Sequence, residues 1–471
     1  MKTRRQRLYE NSQRNRKIAL ASYRYGWPID PVKQAQIADK IRGEITRTTE
    51  ALGVRIQELI AEEHDEGTRK FLASINLNSG QQLARLLYEV LEEPIAYRTK
   101  QGAASTGKGA LEHIARHGGE QAREIAALLR QRKIAAKLEE AYIHNLDGVR
   151  LVRPAAHVTA QVGGRWSYRD PALQTVPQII KPMFTAHPGC WMVACDLAGA
   201  EYRTMALQAG CVPMLDAFNE GRDLHTETAG VIFGLDPKDV QPSQRKIAKG
   251  VGLGFHYSVL DFEGAAAGLF AQVGHLAKGL TFGMILGAIK RLAQARPEIM
   301  AFKERLWQRA QVEDYVEEPL FNRRRYFHNK PKDTEAYNFP QQAMIAAIVD
   351  QAIQRIDAEF DVGEGLHLQR HDELIIGGPT PLHLCQLLWE HMRQKHTIGE
   401  HSIIFEIEFL ITKRWGEGVE VVPEVGGGFT VKCPPKACGF KRGGLSLGGA
   451  VKAATEHYDA CEHMEGVKDD L

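Results

Sequence analysis

The sequence predicts an α+β protein in which helical segments surround a small antiparallel sheet. Three observations carry this. Residues 25–150 repeat apolar positions at helical spacing, with Ile37, Ile41, Ile45 and Leu52 along one long stretch that Asp30-Pro31 introduces. Trp191-Met-Val-Ala-Cys195 is an unbroken apolar run ending on Asp196, the pattern of a strand buried on both faces. Leu366–Ile376 alternates on either side of His371-Asp372, as two short strands joined by a tight turn do. Phe405-Glu-Ile-Glu-Phe409 alternates as a further strand of the same sheet.

Composition bounds the class. The chain has 471 residues, 44% hydrophobic and 25% charged, which suits a globular protein with a large core. The net charge of +2 does not by itself point to nucleic acid. The N-terminus is locally basic: Lys2, Arg4, Arg5, Arg7, Arg14, Arg16, Lys17 and Arg24 face only Glu10. That reads equally as a polyanion-binding arm or a solvated, partly disordered tail. No apolar run has the length of a membrane span, and no signal peptide core is present. Seven scattered cysteines suggest a reducing compartment without a disulfide framework.

The elements follow in order. After the long helix through Ile60, Asn76-Leu-Asn-Ser79 caps a second helix carrying Leu83, Leu86 and Leu87. Tyr97–Gly109 is a polar loop. Its Gly102-Ala-Ala-Ser-Thr-Gly107-Lys108-Gly109 nearly spells a phosphate-binding loop, but Gly109 stands where Ser or Thr is needed and no apolar strand leads in. A helix over Glu120–Tyr142 carries Arg130, Arg132, Lys133 and Lys137, read as a solvated basic face. Asp223 is placed to cap a helix running to Phe233, with His225 in its first turn. Pro242 opens the next helix, on which Arg245, Lys249, Leu253 and Tyr257 recur every four residues. Gly250, Gly252 and Gly254 each weaken that helix by roughly 1 kcal/mol relative to Ala, so the segment reads as a helix built to move or as a loop. Phe321–Phe327 holds the basic cluster Arg323-Arg-Arg325. Asn338-Phe-Pro340 caps an amphipathic helix containing Met344, Ile348 and Ile356. After Trp415 the chain is Gly-rich and reads as irregular.

Two constellations carry chemistry. Asp196 and Asp372, hard carboxylates at the ends of neighbouring strands, suit two Mg²⁺ ions ~3.5–4 Å apart, the clamp for an in-line phosphoryl displacement. Either acid alone reads better as a strand-end residue that caps a helix or meets solvent. An HD-type phosphohydrolase site would need further ligands on helices, whereas this His-Asp pair lies between strands. Arg245 and Lys249 place a planar fork and a compact cation on one helical face, suited to terminal and inner phosphates, or simply to solvent. Tyr257 continues that face where a base could stack.

Together these segments resemble the family A (Pol I-like) DNA polymerases. Asp196-Leu-Ala-Gly-Ala-Glu201-Tyr-Arg203 is similar to motif A, Arg245-x3-Lys249-x7-Tyr257 to motif B, and His371-Asp372-Glu373 to motif C. Arg165-Trp-Ser167-x2-Asp170-Pro-x-Leu173-Gln174-x2-Pro177 resembles the segment upstream of motif A. Gly221-Arg-Asp-Leu-His225-Thr-Glu-Thr-Ala resembles the entry to the fingers, Asn338-x-Pro340-x-Gln342 a palm helix, and Asn76-Leu-Asn-Ser79-x2-Gln82-Leu83 the thumb. The likeness covers about residues 24–416, with its motifs in order.

The resemblance implies a right-hand fold: a basic N-terminal arm (1–24), a helical thumb (25–150), an antiparallel-sheet palm (151–215 and 341–420), helical fingers (216–340), and a Gly-rich C-terminal tail without assigned role (421–471). It implies a DNA-templated DNA polymerase of replication or repair. Asp196 and Asp372 hold two Mg²⁺ ions, for which Mn²⁺ can substitute, with Glu373 in support. Arg245, Lys249 and His225 grip the triphosphate. Glu201 crowds the sugar 2′ position, Leu253 packs near the sugar and Tyr257 guards the templating position. Arg165, Gln342, His371 and Arg203 meet the DNA. The partners implied are primer–template DNA and dNTPs, for a monomer in the cytoplasm, without a membrane role. Glu201 argues against the rival reading, a single-subunit RNA polymerase; a catalytically silent primer–template-binding protein is the rival of another class.

The departures are Leu253 where the family carries Phe or Tyr, Ser258 where it carries Gly, and the small Gly199 and Ala200. None removes a metal or phosphate ligand. Too few residues precede the thumb for an exonuclease domain, so no intrinsic proofreading is expected; such a bare module suggests a phage or mobile-element enzyme in the host cytoplasm. In the tail, Cys433-x4-Cys438 with His457-x3-Cys461-x-His463 supplies enough ligands for a structural Zn²⁺, but the irregular spacing fits free thiols in a linker better. The acidic end, Glu462 to Leu471, reads as a docking segment for replication accessory proteins or as disordered chain.

Overall fold

A computed structural model describes residues 4–258, 260–273, 281–329, 331–434 and 438–461. The acidic C-terminal docking segment and His463 lie outside the described residues. The chain forms two compact units, one built from 29–152 with 177–184 and one from most of the rest. Among the described residues no helix is long and apolar enough to cross a membrane.

The first helix, α1 (Arg4–Tyr25), stands where a partly disordered tail was one of the two readings of the basic N-terminus. Asn15, Ile18 and Ser22 lie one turn apart and are all buried, while Arg14, Arg16, Lys17 and Arg24 point outward. The inward stripe is narrow and only one-third aliphatic, so charge masks it. Gln354 Nε2 donates to Asn15 Oδ1 at 2.7 Å, which fixes the helix on the larger unit. A short strand β1 (Trp27–Pro28) follows.

The smaller unit is helical. In α2 (Pro31–Glu62), Asp30 accepts from the Val32 and Lys33 amides and Pro31 occupies the first position, as expected. Next come α3 (Glu66–Ala73), α4 (Gly80–Arg85), α5 (Lys108–His117) and α6 (Glu120–Leu138). Leu52, Ile56, Leu72, Leu83, Leu86, Leu111, Ile125 and Leu129 form one buried cluster among them. Ser79 caps α4 at Gln82, and the Gln82 side chain accepts from the Asn76 amide at 2.6 Å. The basic face of α6 is partly engaged. Arg132 bonds Thr49 and Asn78, Arg130 pairs with Glu112 at 3.0 Å, and Lys133 donates to the Thr106 carbonyl at 2.8 Å.

The larger unit is organised by a seven-stranded antiparallel sheet. The smaller unit includes the short strand β2 (Leu151–Val152), whereas β3 (Ala155–His157) and β4 (Ser167–Arg169), which pair with each other, belong to the larger. The central strand is β5 (Trp191–Leu197), buried from Met192 to Cys195. Helices α7 (Ala200–Ala209), α8 (Val212–Asn219), α9 (Leu224–Phe233), α10 (Pro242–Tyr257), α11 (Phe262–Val273), α12 (Phe282–Ala295) and α13 (Pro297–Val312) follow. The chain returns through the hairpin β6 (Tyr315–Glu317) and β7 (Arg324–Tyr326) to α14 (Asp333–Ala358), β8 (Gly365–Arg370), β9 (Glu373–Gly378) and α15 (Pro381–Met392). A hairpin β10 (Lys395–Ile398) and β11 (His401–Ile404) leads to β12 (Ile407–Thr412), β13 (Val419–Pro423), β14 (Phe429–Lys432), β15 (Lys441–Leu445) and α16 (Leu447–Ala460). The sheet order is β15-β14-β13-β12-β5-β9-β8.

Three local expectations change. The chain after Trp415 is regular: β13 to β15 extend the sheet and α16 packs on β12, β13 and β14. The glycines that read as irregular are turn residues, with φ of 94°, 101° and 94° at Gly426, Gly427 and Gly428, where only glycine is comfortable. Asn338 does not cap a helix: α14 begins at Asp333 with Asp333 and Glu335 in its first turn, and Pro340 lies inside it.

The third change concerns α10, which is a continuous helix with a Gln241–Gln244 capping box. Its glycines are contact points. A Cβ at Gly252 would lie 2.4 Å from Tyr202 Oη, and one at Gly254 would lie 1.8 Å from a Leu269 methyl. Close approach of α10 to α7 and α11 therefore offsets the low helix propensity.

Gly252→Ala should accordingly destabilise the protein by about 1–3 kcal/mol in urea unfolding, although Gly→Ala in an open helix gains about 1 kcal/mol. Adding Tyr202→Phe, which deletes the crowded oxygen, should recover part of the loss. A stabilised single variant would refute the contact.

Candidate active site

The backbone register gathers carboxylates at one point of the sheet. Asp196, near the end of β5, lies opposite Glu373 of β9 and opposite Glu408 of β12. His371, at φ +55°, makes the tight turn between β8 and β9, and the Asp372 carbonyl accepts from the Leu197 amide at 3.3 Å. Four acids thus converge from three adjacent strands. Like charges directly opposite one another across strands repel. Burial in the cleft, then Asp372, Glu373 and Glu408, push the Asp196 carboxyl up to about 8, against Arg370. Burial also raises Asp372, with Arg165 and Arg370 opposing. Asp196 and Glu408 keep accessible carboxylates within this surrounding protein. Arg370 Nε is 3.4 Å from Glu373 Oε2, so one arginine answers part of the charge. The remaining excess, on accessible oxygen donors, fits a hard divalent cation such as Mg²⁺ or Mn²⁺.

Arg165 and His371 border these acids. Trp166 Nε1 donates to Asp350 Oδ1 at 2.9 Å, anchoring the Arg165 segment to α14. Gln342, on α14, lies against Gly163: a Cβ there would sit 3.7 Å from Gln342 Cβ. Burial, then Arg165 and Arg370, lower the His371 pKa, which keeps the ring neutral.

The turn after β5 sets the next group. Gly199 takes φ +63° and leads into α7, placing Glu201 in the first turn. This conformation accounts for the glycine at a position where a larger residue would be strained. Arg203 departs from its expected place at the DNA. It is 8% exposed, its Nε donates to the Ala198 carbonyl at 2.8 Å, and Nη1 donates to the Ile404 carbonyl at 2.6 Å. Its guanidinium also lies over the Phe218 ring. A guanidinium so engaged holds the loop after β5 in shape and leaves little to offer a ligand.

The third group lies on α9 and α10. Asp223 caps α9 through the His225 amide at 3.1 Å and accepts from Thr226 Oγ1 at 2.8 Å. The same carboxylate takes the Arg245 guanidinium. Burial works to raise the Asp223 pKa, but Arg245, Thr226 and the His225 amide hold it below the usual range. Lys249, one turn beyond, is exposed and has no ion pair among the described residues. His225 packs edge-on against Tyr202, and burial lowers its pKa, with Asp223 opposing and Arg245 and Lys249 reinforcing the shift. Its Nδ1 is buried without a partner. Leu253 and Tyr257 are half-buried further along α10. Burial, then the neighbouring Glu201 carboxylate, raise the Tyr257 phenol.

The predicted residues therefore fall into an acidic group with Arg165 and His371 beside it and a basic group on α9 and α10, bridged by Glu201 and Tyr257. Glu408 and Asp223 were missed. The alternation of Phe405–Phe409 marks a strand, but only strand order puts Glu408 beside Asp196. Asp223 was read as a cap and proves also to be the resting partner of Arg245. A cleft of about 630 Å³ opens beside this region, lined by Tyr202, Asp223 and His225 and by the turn between β13 and β14. In the basic cluster of Phe321–Phe327, Arg324 pairs with Glu317 of β6 and Arg325 with Glu335 of α14, while Arg323 lies against Gly164.

The chain has relatives among known proteins. The chain is 33% identical over 328 residues to the thermostable DNA polymerase I of Thermus filiformis, covering 64% of this chain and 37% of that protein. It is 31% identical over 353 residues to the corresponding protein of Thermus aquaticus, covering 70% and 40%. It is 29% identical over 393 residues to DNA polymerase I of Geobacillus stearothermophilus, covering 76% and 41%. The chain thus spans about two-fifths of the length of these relatives. In fold it is similar to the POL domain of Pol1 from M. smegmatis, solved in complex with DNA primer-template and dNTP, with a TM-score of 0.70 at 21% identity over 86% of this chain and 70% of that one. Residues 43–417 match the family described as DNA polymerase family A, and the chain belongs to that family.

Proposed function

We propose that the chain is a DNA-templated DNA polymerase that adds deoxynucleotides to a primer 3′-hydroxyl in replication or repair. The observation that carries this is the crowding of Asp196, Asp372, Glu373 and Glu408 in one row of the sheet, in a family A chain whose α10 bears Arg245 and Lys249. Asp196 and Asp372 would hold two Mg²⁺ ions, with Glu373 and Glu408 adding negative field. Bound there, the ions supply charge neutralisation for the attacking and leaving oxygens of the displacement.

The chain's own groups do the rest. Lys249 meets the inner phosphates. Arg245 reaches the triphosphate by leaving Asp223, so nucleotide binding replaces one carboxylate partner with a phosphate. His225, neutral, donates one ring N–H to the triphosphate. Glu201 and Tyr257 close the sugar and template side, and Leu253 leaves a softer wall there than an aromatic ring. Arg165, Gln342 and His371 border the primer end. In these terms 25–150 is the thumb, 216–340 the fingers, and 151–215 with 341–420 the palm, to which β13, β14 and β15 belong as an extension. Primer–template contacts to phosphates make binding fall steeply with salt.

Primer extension with Mg²⁺ tests the reading. Wild type should extend with dNTPs; Asp196→Ala and Asp372→Ala should each lose at least about 10³-fold in kcat while retaining primer–template binding. Glu201→Ala should raise rNTP incorporation relative to dNTP. Failure of the wild type with both Mg²⁺ and Mn²⁺ would refute the proposal, and equal use of rNTPs would move it to an RNA polymerase.

The carboxylate crowding has its own test. Burial and the neighbouring acids push the folded Asp196 carboxyl up to about 8, whereas an unfolded Asp lies near ~3.9. The folded state binds the extra proton between these values. This group's contribution is therefore full below about pH 4 and is lost as pH rises through about 8. In metal-free buffer at pH 8, Asp196→Asn should be at least about 1 kcal/mol more stable than wild type by urea unfolding. Mg²⁺ should narrow the difference by stabilising the wild type alone. Equal stabilities in chelator would show that the acids do not repel.

A further inference from the structure

The C-terminal extension contains a second cluster, remote in sequence from the acids above. Cys433 follows β14 and Cys438 precedes β15, so the two lie at the adjoining ends of neighbouring antiparallel strands; the Cys433 amide donates to the Phe440 carbonyl at 3.1 Å. His457 sits in the last turn of α16 and Cys461 just beyond it, four residues on and hence on the same face. One donor atom from each of the four lies within 4.8 Å of every other. Cys438 Sγ is 3.2 Å from His457 Nε2 and 3.6 Å from Cys461 Sγ, and Cys433 Sγ is 4.0 Å from Cys461 Sγ. Phe440 stacks flat on the His457 ring at 3.9 Å between centroids, which fixes the imidazole with Nε2 toward the thiols.

These separations discriminate between chemistries. A disulfide needs sulfurs at ~2.05 Å. A tetrahedral zinc with Zn–S of ~2.3 Å needs donor–donor edges of about 3.8 Å. The observed edges bracket the second value. Three thiols and one imidazole complete a tetrahedron without an open position, which is the composition of a structural site. Thiolates are soft donors and favour zinc over the hard cations that suit the carboxylate row.

We infer that Cys433, Cys438, His457 and Cys461 bind one structural Zn²⁺ that staples the β14–β15 hairpin to α16. The hairpin lies at the edge of the sheet, where a strand has a neighbour on one side only, and α16 packs on β12, β13 and β14. The ion therefore ties the outermost strands to the helix that covers them. Irregular ligand spacing, which argued for free thiols in the sequence, follows from drawing two ligands from a hairpin and two from a helix end.

Metal analysis of the reduced, gel-filtered chain expressed with zinc should give one equivalent of zinc, released when the thiols are blocked with a mercurial. Replacement by Co²⁺ should give the strong visible absorption of tetrahedral thiolate coordination, a readout on the wild type that needs no variant. Cys438→Ser/Cys461→Ser should bind less than a tenth of an equivalent, and chelation should lower the wild-type Tm by about 5 °C or more while leaving the variant unchanged. Absence of zinc and of the Co²⁺ spectrum, equal zinc in the variant, iron in its place, or a disulfide among these cysteines in the reduced preparation would each overturn the inference. None of these readouts depends on primer extension, so this inference and the polymerase reading fail separately.

Discussion

The electrostatic conflict between β5, β9 and β12 is the constraint on which the rest of the unit depends. Asp196, Glu373 and Glu408 are brought opposite one another by backbone pairing, and the turn at His371 returns Asp372 to the same place. A slip of one residue in either ladder would send an acid to the other face. The register must therefore be held by something stronger than the repulsion. Met192, Val193 and Cys195 of β5, Leu374 and Ile376 of β9, and Phe409 and Ile411 of β12 are all buried to 1% exposure or less. Apolar packing on these strands holds the acids together, and Arg370 and Arg165 relieve only part of the charge. A site that is unfavourable when empty is one that a cation stabilises on arrival.

The basic side is arranged by the opposite means. Its cations are solvated or lightly paired, and the helix that carries them is fixed from behind. Tyr202 and Leu269 fill the places where Gly252 and Gly254 would otherwise carry side chains. At the far end, Lys303 is 1% exposed and donates to the Phe255 carbonyl at 2.6 Å and the Ser258 carbonyl at 3.2 Å. Those carbonyls belong to the C-terminal end of α10, where a cation complements the helix dipole. Burial lowers the Lys303 pKa to about 7, with Asp333 opposing, and the carbonyls and flanking Phe255 and Tyr337 rings add to the compensation. The end of α10 that carries Arg245 is paired with Asp223, while its other end is anchored by Lys303.

What the sequence made legible was local. Caps at Asp30, Ser79 and Asp223, the apolar run into Asp196 and the alternation around His371 each depend on residues a few positions apart, and each is present in the structure. What it hid depends on pairing across the chain. Glu408 gains its meaning only when β12 lies beside β5. Arg203 stands in a motif with Asp196, yet its place is set by the carbonyl of Ile404, far along the chain. The burial of α1 is masked because its inward stripe includes Asn15 and Ser22, which bury well only with partners such as Gln354.

The C-terminal extension shows how a composition that reads as irregular can serve a regular structure. Gly426, Gly427 and Gly428 adopt positive φ and allow β13 to reverse into β14, and Val425 at that turn occupies the space beside Gly221, where any Cβ would lie 2.5 Å from a valine methyl. Gly221 itself has φ +69°, so both sides of this contact need glycine, one for space and one for the turn. The residues after Gly221 lead directly to Asp223, the resting partner of Arg245. From the turn, β14 runs only four residues to Lys432, and Cys433 follows at its end. A strand of that length spans about 13 Å. The extension therefore meets the loop that presents Asp223 at one end and carries the Cys-His cluster at the other.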